Sequence, residues 1–202
     1  MNLITQKQNN MIKLNELRDK AYQNAVVHGW HDEDKSDSHW LCLVISELME
    51  AVEADRKNRH ASVKFFNHSI DYALRELHLT KQDFSNYFFN SYKENIKDSV
   101  EEELADACIR ILDLAGLRNT DLDDFDYEGS DTMDYSGMSF TEAMFHISRM
   151  ATDEFYIGEF IALLLNEIFA FCQDREIDIF WYIEQKMKYN ELRPYMHGGK
   201  KY

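Results

Sequence analysis

Residues that interrupt helices are scarce in this chain. One proline, Pro194, and seven glycines occur among its 202 residues. Along almost the whole sequence, apolar residues recur every three or four positions, the spacing that gathers them on one face of an α-helix. Because few residues could end or kink such helices, the pattern predicts an all-α protein. With 45% hydrophobic residues, the chain is expected to fold as one globular domain spanning 1–202.

Eight helices are predicted from this periodicity and its boundary signals. Thr80 and Asp178 have the residue types of helix N-caps, and Ser99-Val100-Glu101-Glu102 and Ser139-Phe140-Thr141-Glu142 fit capping boxes. The most apolar helix, at about 158–173, is expected at the centre of the bundle. The tail beyond the last helix is expected to be extended or loose. The predicted spans are about 4–28, 38–58, 69–78, 81–92, 99–116, 139–155, 158–173 and 179–192.

Two segments do not belong to the regular bundle pattern. The segment at about 59–98 is rich in aromatic residues and is predicted to be a helical insertion. It could pack its own small core, form a wall of a ligand pocket, or form an oligomer interface. The segment at about 120–137 is an acidic connector, predicted to be solvated. It is not an EF-hand, because Tyr135 occupies the position at which that loop needs a bidentate Glu.

The charge balance limits the classes of partner. A formal net charge of -15 disfavours generic binding to nucleic acids or anionic membranes. Residues 181–202, in contrast, carry five Lys or Arg against two Glu, and are locally basic. No leader-like apolar run and no stretch of about 18 apolar residues is visible. The sequence therefore predicts a soluble, cytoplasmic protein.

Two pairs of carboxylates are the strongest chemical signal. Glu47 and Glu50 lie three residues apart on one predicted helix, and Glu103 and Asp106 do so on another. Residues at this spacing lie one turn apart on nearly the same helix face. Each pair borders an apolar stripe, so two packed helices could direct four carboxylates to one point. Such an oxygen cage suits Mg²⁺, and the alternative is two solvated acidic faces.

The C-terminal helix carries groups suited to phosphate oxygens. Lys186, Asn190 and Arg193 are spaced i, i+4 and i+7, which is one helix face. Gly198 and Gly199 would let the backbone approach a ligand closely. The alternative is a basic helix end that complements the helix dipole and is followed by a frayed tail.

A loop after the first helix contains Trp30 and His31, whose rings could stack on a nucleobase. Zinc is not indicated, because His28 and His31 lack Cys partners or a third spaced His. A di-iron carboxylate bundle is not indicated either, because no Glu-x-x-His pair occurs.

These motifs together resemble a known family. Glu47-xx-Glu50 followed by Glu103-xx-Asp106 resembles the ExxE…ExxD signature of the MazG-like, all-α nucleoside triphosphate pyrophosphohydrolases. Further stretches look like one branch of that superfamily, in the same order along the chain: 28–31, 46–51, 101–106, 186–194 and 197–202.

The resemblance implies a MazG-like helical bundle with a helical insertion between the two metal-binding helices. It implies cleavage of a nucleoside triphosphate to the monophosphate and pyrophosphate with Mg²⁺ or Mn²⁺, in a homodimer or higher homo-oligomer. Metal ligands would be Glu47, Glu50, Glu103 and Asp106, with Glu50 and Glu47 catalytic. Substrate contacts would come from Lys186, Asn190, Arg193, Lys200, Trp30 and His31.

This chain departs from the family pattern in its length. The connection between Glu50 and Glu103 is much longer than is usual for the family, and the stretch from Glu103 to the last helix is also extended. The segments at about 59–98 and 120–175 are therefore elaborations. A helical bundle that binds a nucleotide or a protein without catalysis is the competing hypothesis.

Overall fold

The computed structural model describes residues 13–127, 129–152 and 157–199, and within these ranges the chain forms nine helical segments and no strand. The prediction of an all-α protein is therefore confirmed. The segments are α1 (Leu14–Val27), α2 (Asp37–Arg56), α3 (Val63–Glu76), α4 (Lys81–Asn95), α5 (Val100–Leu117), α6 (Phe140–Met150), α7 (Ile157–Asp174), α8 (Ile179–Glu191) and α9 (Met196–Gly199).

Side-chain caps set several helix starts, as predicted. Thr80 accepts a hydrogen bond from the Asp83 N–H at the start of α4, and Asp178 caps α8. Ser139 and Glu142 form a complete capping box at α6. The second predicted box is only half correct, because Ser99 caps α5 but the Glu102 carboxylate accepts from the Asp98 N–H. The predicted helical residues 4–12 and 153–155 lie outside the described part of the chain.

Helix α5 forms the centre of the bundle. It packs against α1, α2, α7 and α8. Its buried residues lie on several faces, and alanines among them let neighbouring helices approach closely. Helix α7 was expected in this position, but it packs against α5 and α6 only, among the contacts of three or more residue pairs. No helix in the described ranges is long and apolar enough to span a bilayer.

The segment at 59–98 leaves α2 and α5 side by side. Its two helices, α3 and α4, form a hairpin whose ends are joined by a hydrogen bond from the Ser62 N–H to the Asn95 carbonyl, at 2.7 Å. At its base, the Val100 N–H donates to the Arg59 carbonyl at 3.0 Å. The chain therefore leaves the end of α2 and returns to the start of α5 at nearly the same point.

Aromatic rings attach this hairpin to the bundle through α8. Tyr92 stacks on Tyr189 with ring centroids 4.5 Å apart, and Phe89 stacks on the same ring at 4.7 Å. Phe66 meets the edge of Trp181 at 5.8 Å. The hairpin thus shares its core with α8 and braces the helix that carries the predicted phosphate ligands.

The aspartates of the acidic connector are exposed, and other residues anchor the segment. Leu122 and Tyr135 are fully buried. Asn15 on α1 accepts a hydrogen bond from the Leu122 N–H at 2.9 Å and donates one to Asp121 at 2.8 Å. The connector is therefore held against the bundle, with its aspartates in solvent.

The close contact of α1 and α5 at Gly116 leads to a stability prediction. A Cβ atom at Gly116 would lie 2.5 Å from Tyr22 Cβ, which no side-chain rotation can move away. Although alanine favours helix by about 1 kcal/mol, we expect Gly116→Ala to destabilise the protein by about 1–2 kcal/mol. Thermal unfolding should show a Tm lower by roughly 3–6 °C. Gly137→Ala, where nothing lies within 4 Å, is the control and should leave the Tm unchanged.

Candidate functional site

One cleft collects most of the predicted site residues. It lies among α1, α2, α5 and α8 and has a cavity volume of about 200 Å³. Its lining includes all the predicted metal ligands and four of the six predicted substrate ligands. These are Glu47, Glu50, Glu103, Asp106, Lys186, Asn190, Arg193 and Trp30.

The packing of α2 on α5 brings the two acidic motifs together. Glu47 and Glu103 border the apolar faces by which the helices meet, and both are buried. One carboxylate oxygen each of Glu47, Glu103 and Asp106 lies within 4.8 Å of the others. Glu50 lines the same cleft but is exposed and lies outside this group of three.

The three grouped carboxylates have the chemistry of a divalent-cation site. Hard cations such as Mg²⁺ prefer carboxylate oxygens at about 2.0–2.1 Å, so opposite ligands of one ion are about 4.2 Å apart. One oxygen of each of the three carboxylates already lies within 4.8 Å of the other two, so adjustment of the side chains could gather them around one ion. The donor set therefore fits Mg²⁺ or Mn²⁺, with Glu50 beside it.

Burial and mutual repulsion disfavour the ionised forms of Glu103 and Glu47 in the absence of a cation. Burial, followed by the repulsion from Asp106, raises the pKa of Glu103 to about 9. Burial and Asp106 also raise the pKa of Glu47 to about 6, although Arg110 opposes the change. A divalent cation would offset both effects, because it favours the ionised form of each carboxylate.

Two protein cations partly neutralise the cluster. Arg110 Nε donates to Glu47 Oε1 at 3.0 Å. Lys186 Nζ lies 2.5 Å from Asp106 Oδ2 and donates to Glu102 Oε1. Burial lowers the pKa of Lys186, but Asp106 and Glu102 outweigh it and the net pKa is raised, so the ammonium stays charged. Lys186, predicted as a phosphate ligand, is therefore paired with carboxylates here.

Sequence reasoning missed Glu102, which is the most buried carboxylate of the cleft. It is 1% exposed, and besides Lys186 it contacts the Asp98 N–H at 2.5 Å and the Tyr92 hydroxyl at 3.4 Å. From the sequence it was assigned only to a capping box at the start of α5. The available signal was its i, i+4 spacing to Asp106, which puts both on one face of α5.

Asn190 follows Lys186 on α8. Arg193 lies two residues beyond the end of this helix, so the predicted single helix face for all three residues holds only for Lys186 and Asn190. Asn190 is 8% exposed, and its Oδ1 has no hydrogen-bond partner among the described residues. A buried amide without a partner is costly in an isolated protein and is expected where a ligand supplies the missing bond. Arg193 also lines the cleft, with its guanidinium 5.9 Å from the Tyr189 ring.

The C-terminal tail docks on the loop that follows α1. The Met196 N–H donates to the His28 carbonyl at 3.0 Å, and His28 Nε2 lies 3.0 Å from the Arg193 carbonyl. The His197 ring lies 5.1 Å from that of Trp30, and both line the cleft. The prediction of an extended or loose tail is therefore wrong up to Gly199. Lys200, the remaining predicted substrate ligand, lies outside the described residues.

His31 is directed away from the cleft lining. Its Nε2 lies 2.7 Å from Asp113 Oδ1, and its ring packs between those of Tyr22 and Trp40. This arrangement does not support the predicted contact of His31 with a nucleobase. The contact instead ties the loop that carries Trp30 to Asp113 on α5. Asp113 itself lines the cleft.

The cleft thus combines carboxylates from α2 and α5, a cation and an amide from α8, the Arg193 guanidinium just beyond that helix, and aromatic rings from the loop and tail. Its residues come from sequence positions more than 150 apart, yet they face one space. Comparisons of the chain with protein-family models, with curated proteins and with solved structures find no match.

Proposed function

We propose that this protein is a Mg²⁺-dependent nucleoside triphosphate pyrophosphohydrolase of the MazG-like superfamily. One observation carries the proposal: the carboxylates of Glu47, Glu103 and Asp106 and the side chains of Lys186 and Asn190 line a single cleft. A triphosphate needs both kinds of group, because its charge requires a metal ion and hydrogen-bond donors in close proximity. The motif resemblance supports the same reaction.

Each carboxylate has a distinct task in this proposal. Glu47, Glu103 and Asp106 hold Mg²⁺, which when bound neutralises phosphate charge and favours attack by water. Glu50, exposed beside them, accepts the proton of the attacking water. Exposure suits this task, because a base must exchange its proton with solvent after each turnover.

The remaining groups orient the nucleotide. Lys186, Arg193 and, in the tail, Lys200 donate to phosphate oxygens, and Asn190 supplies a neutral hydrogen bond. Trp30 offers a ring for the base, 5.1 Å from that of His197. In keeping with the resemblance, we propose a cytoplasmic homodimer or higher homo-oligomer with no nucleic-acid partner.

A nucleotide panel tests the reaction. The purified protein is incubated with each of the common ribo- and deoxyribonucleoside triphosphates and Mg²⁺, and the products are separated by ion-exchange chromatography. We expect a monophosphate and pyrophosphate from at least one of them, and no reaction when EDTA removes the metal. Release of orthophosphate and a diphosphate, or no turnover of any nucleotide, would contradict the proposal.

The ion pairs of the cleft favour one alternative. Arg110 and Lys186 already neutralise part of the acidic cluster, as expected if the network only stabilises a helical bundle that binds a nucleotide or a protein. In that case Mg²⁺ or a nucleotide would raise the Tm without any hydrolysis. Thermal unfolding and product analysis on the same samples separate the two functions.

A further inference from the structure

A lysine ammonium fills part of the carboxylate cluster. Lys186 Nζ lies 2.5 Å from Asp106 Oδ2 and also donates to Glu102 Oε1. Lys186 is 5% exposed and Glu102 1%. Water and salt therefore screen these contacts far less than they would on the surface.

Asp106 belongs to two arrangements at once. With Glu47 and Glu103 it forms the group of oxygens within 4.8 Å that fits a divalent cation. It is also the partner of the Lys186 ammonium. A divalent cation in that group and an ammonium on the same carboxylate repel each other, so the two compete for Asp106.

Glu102 is fixed in a position from which it can hold the Lys186 ammonium without Asp106. Its carboxylate accepts hydrogen bonds from the Asp98 N–H and the Tyr92 hydroxyl, and it stands one helical turn before Asp106 on α5. Glu102 also has oxygens near Asp98 and Glu103, but Asp98 is paired with Lys97. The Lys186 ammonium is thus the cation that pairs with Glu102.

We propose that Lys186 is the built-in counter-ion of Asp106 in the metal-free protein, and that Glu102 is a positioning residue that retains the ammonium when a divalent cation takes Asp106. The proposal rests on the proposed function for its metal. It gives the order of events: metal entry frees Lys186 from Asp106, and Glu102 keeps it in the cleft, where it can donate to a phosphate. An ammonium has three donors, enough for both roles.

Metal affinity in the absence of nucleotide tests this exchange. Binding of Mg²⁺ is measured by titration calorimetry for the wild type, Lys186→Met and Glu102→Gln. Lys186→Met removes the competitor and is expected to bind Mg²⁺ about tenfold more tightly. Glu102→Gln leaves the ammonium with Asp106 alone and is expected to bind Mg²⁺ about tenfold more weakly.

Glu101→Gln is the matched control for loss of one negative charge. The Glu101 carboxylate lies on the same turn of α5 but bonds to His60 and to the Ala61 N–H, outside the cleft. Its Mg²⁺ affinity is expected to equal that of the wild type. A structural ion pair without the exchange would alter the Tm of the two cleft variants but would not shift their metal affinities in opposite directions.

The double variant Glu102→Gln/Lys186→Met removes both buried charges together and guards against misfolding of the single variants. It is expected to bind Mg²⁺ at least as tightly as the wild type. Unchanged or weaker binding by Lys186→Met, equal affinities of Glu102→Gln and Glu101→Gln, or no Mg²⁺ binding by any variant would overturn the inference. Failure of the wild type to release pyrophosphate, in contrast, contradicts the proposed function and leaves this binding result standing.

Discussion

Replacing Glu50 by Gln is expected to lower kcat for pyrophosphate release by about 10²–10⁴-fold, the usual contribution of a general base. Glu50 is exposed and lies outside the three grouped carboxylates, so the Gln variant should retain the metal. The measurement pairs steady-state kinetics on the best nucleotide substrate with calorimetric Mg²⁺ binding. A large fall in kcat with metal affinity changed by less than about tenfold would separate proton transfer from metal binding.

Glu53→Gln is the control for this substitution. Glu53 lies on the same helix, and its surface contacts are with Arg56 and Lys57. It loses the same charge, but surface pairs of this kind contribute little, and we expect its kcat to match that of the wild type. Unaltered turnover in Glu50→Gln would exclude Glu50 as the base.

The metal-free protein is expected to lose stability as the pH rises from about 5 to 9. Glu103 has its pKa raised from 4.5 to about 9 in the folded state, chiefly by burial and then by Asp106. Between these values the folded state binds a proton that the unfolded state has released, so unfolding becomes easier with rising pH. The stabilisation is complete below the unfolded pKa and is lost as the pH passes through the folded pKa.

Glu47, with a pKa raised to about 6, adds to this loss in the lower part of the range. Because water reaches part of the cleft, we expect about 3 kcal/mol in all. This corresponds to a Tm lower by roughly 6–12 °C at pH 9 than at pH 5, measured by thermal unfolding in EDTA.

Two comparisons check the origin of this pH dependence. Saturating Mg²⁺ should flatten the curve, because a metal ion favours the ionised carboxylates that high pH produces. Glu103→Gln should flatten it without metal, since the titrating group is gone. Glu53→Gln, an exposed carboxylate whose pKa is lowered rather than raised, should keep the wild-type slope. A Glu103→Gln curve as steep as that of the wild type would contradict the assignment.

Helix periodicity was enough to predict most of the fold. The caps at Thr80, Ser139 and Asp178 were read correctly because capping depends on residues within one turn. The start of α3 was placed six residues late, at Ser69 instead of Val63. Phe66 of that segment packs on Trp181 of α8, a contact that local periodicity does not encode.

The candidate site, too, could be predicted from the sequence only in part. The placement of Glu47 and Glu103 on the margins of apolar stripes follows from the sequence, since a helix face is a local property. The ion-pair partners of His31 and Lys186 did not follow from the sequence. His31 finds Asp113 and Lys186 finds Glu102, partners 82 and 84 residues away.

The sequence by itself determined an all-helical chain and which helix faces carry carboxylates, cations and aromatic rings. Only the tertiary structure decided that the chain closes on itself between Arg59 and Val100 and so leaves α2 against α5. It also decided that Lys186 stands among the carboxylates of α5. The physical reason is that patterning acts over single turns, whereas ion pairing in a cleft depends on the packing and register of helices distant in the chain.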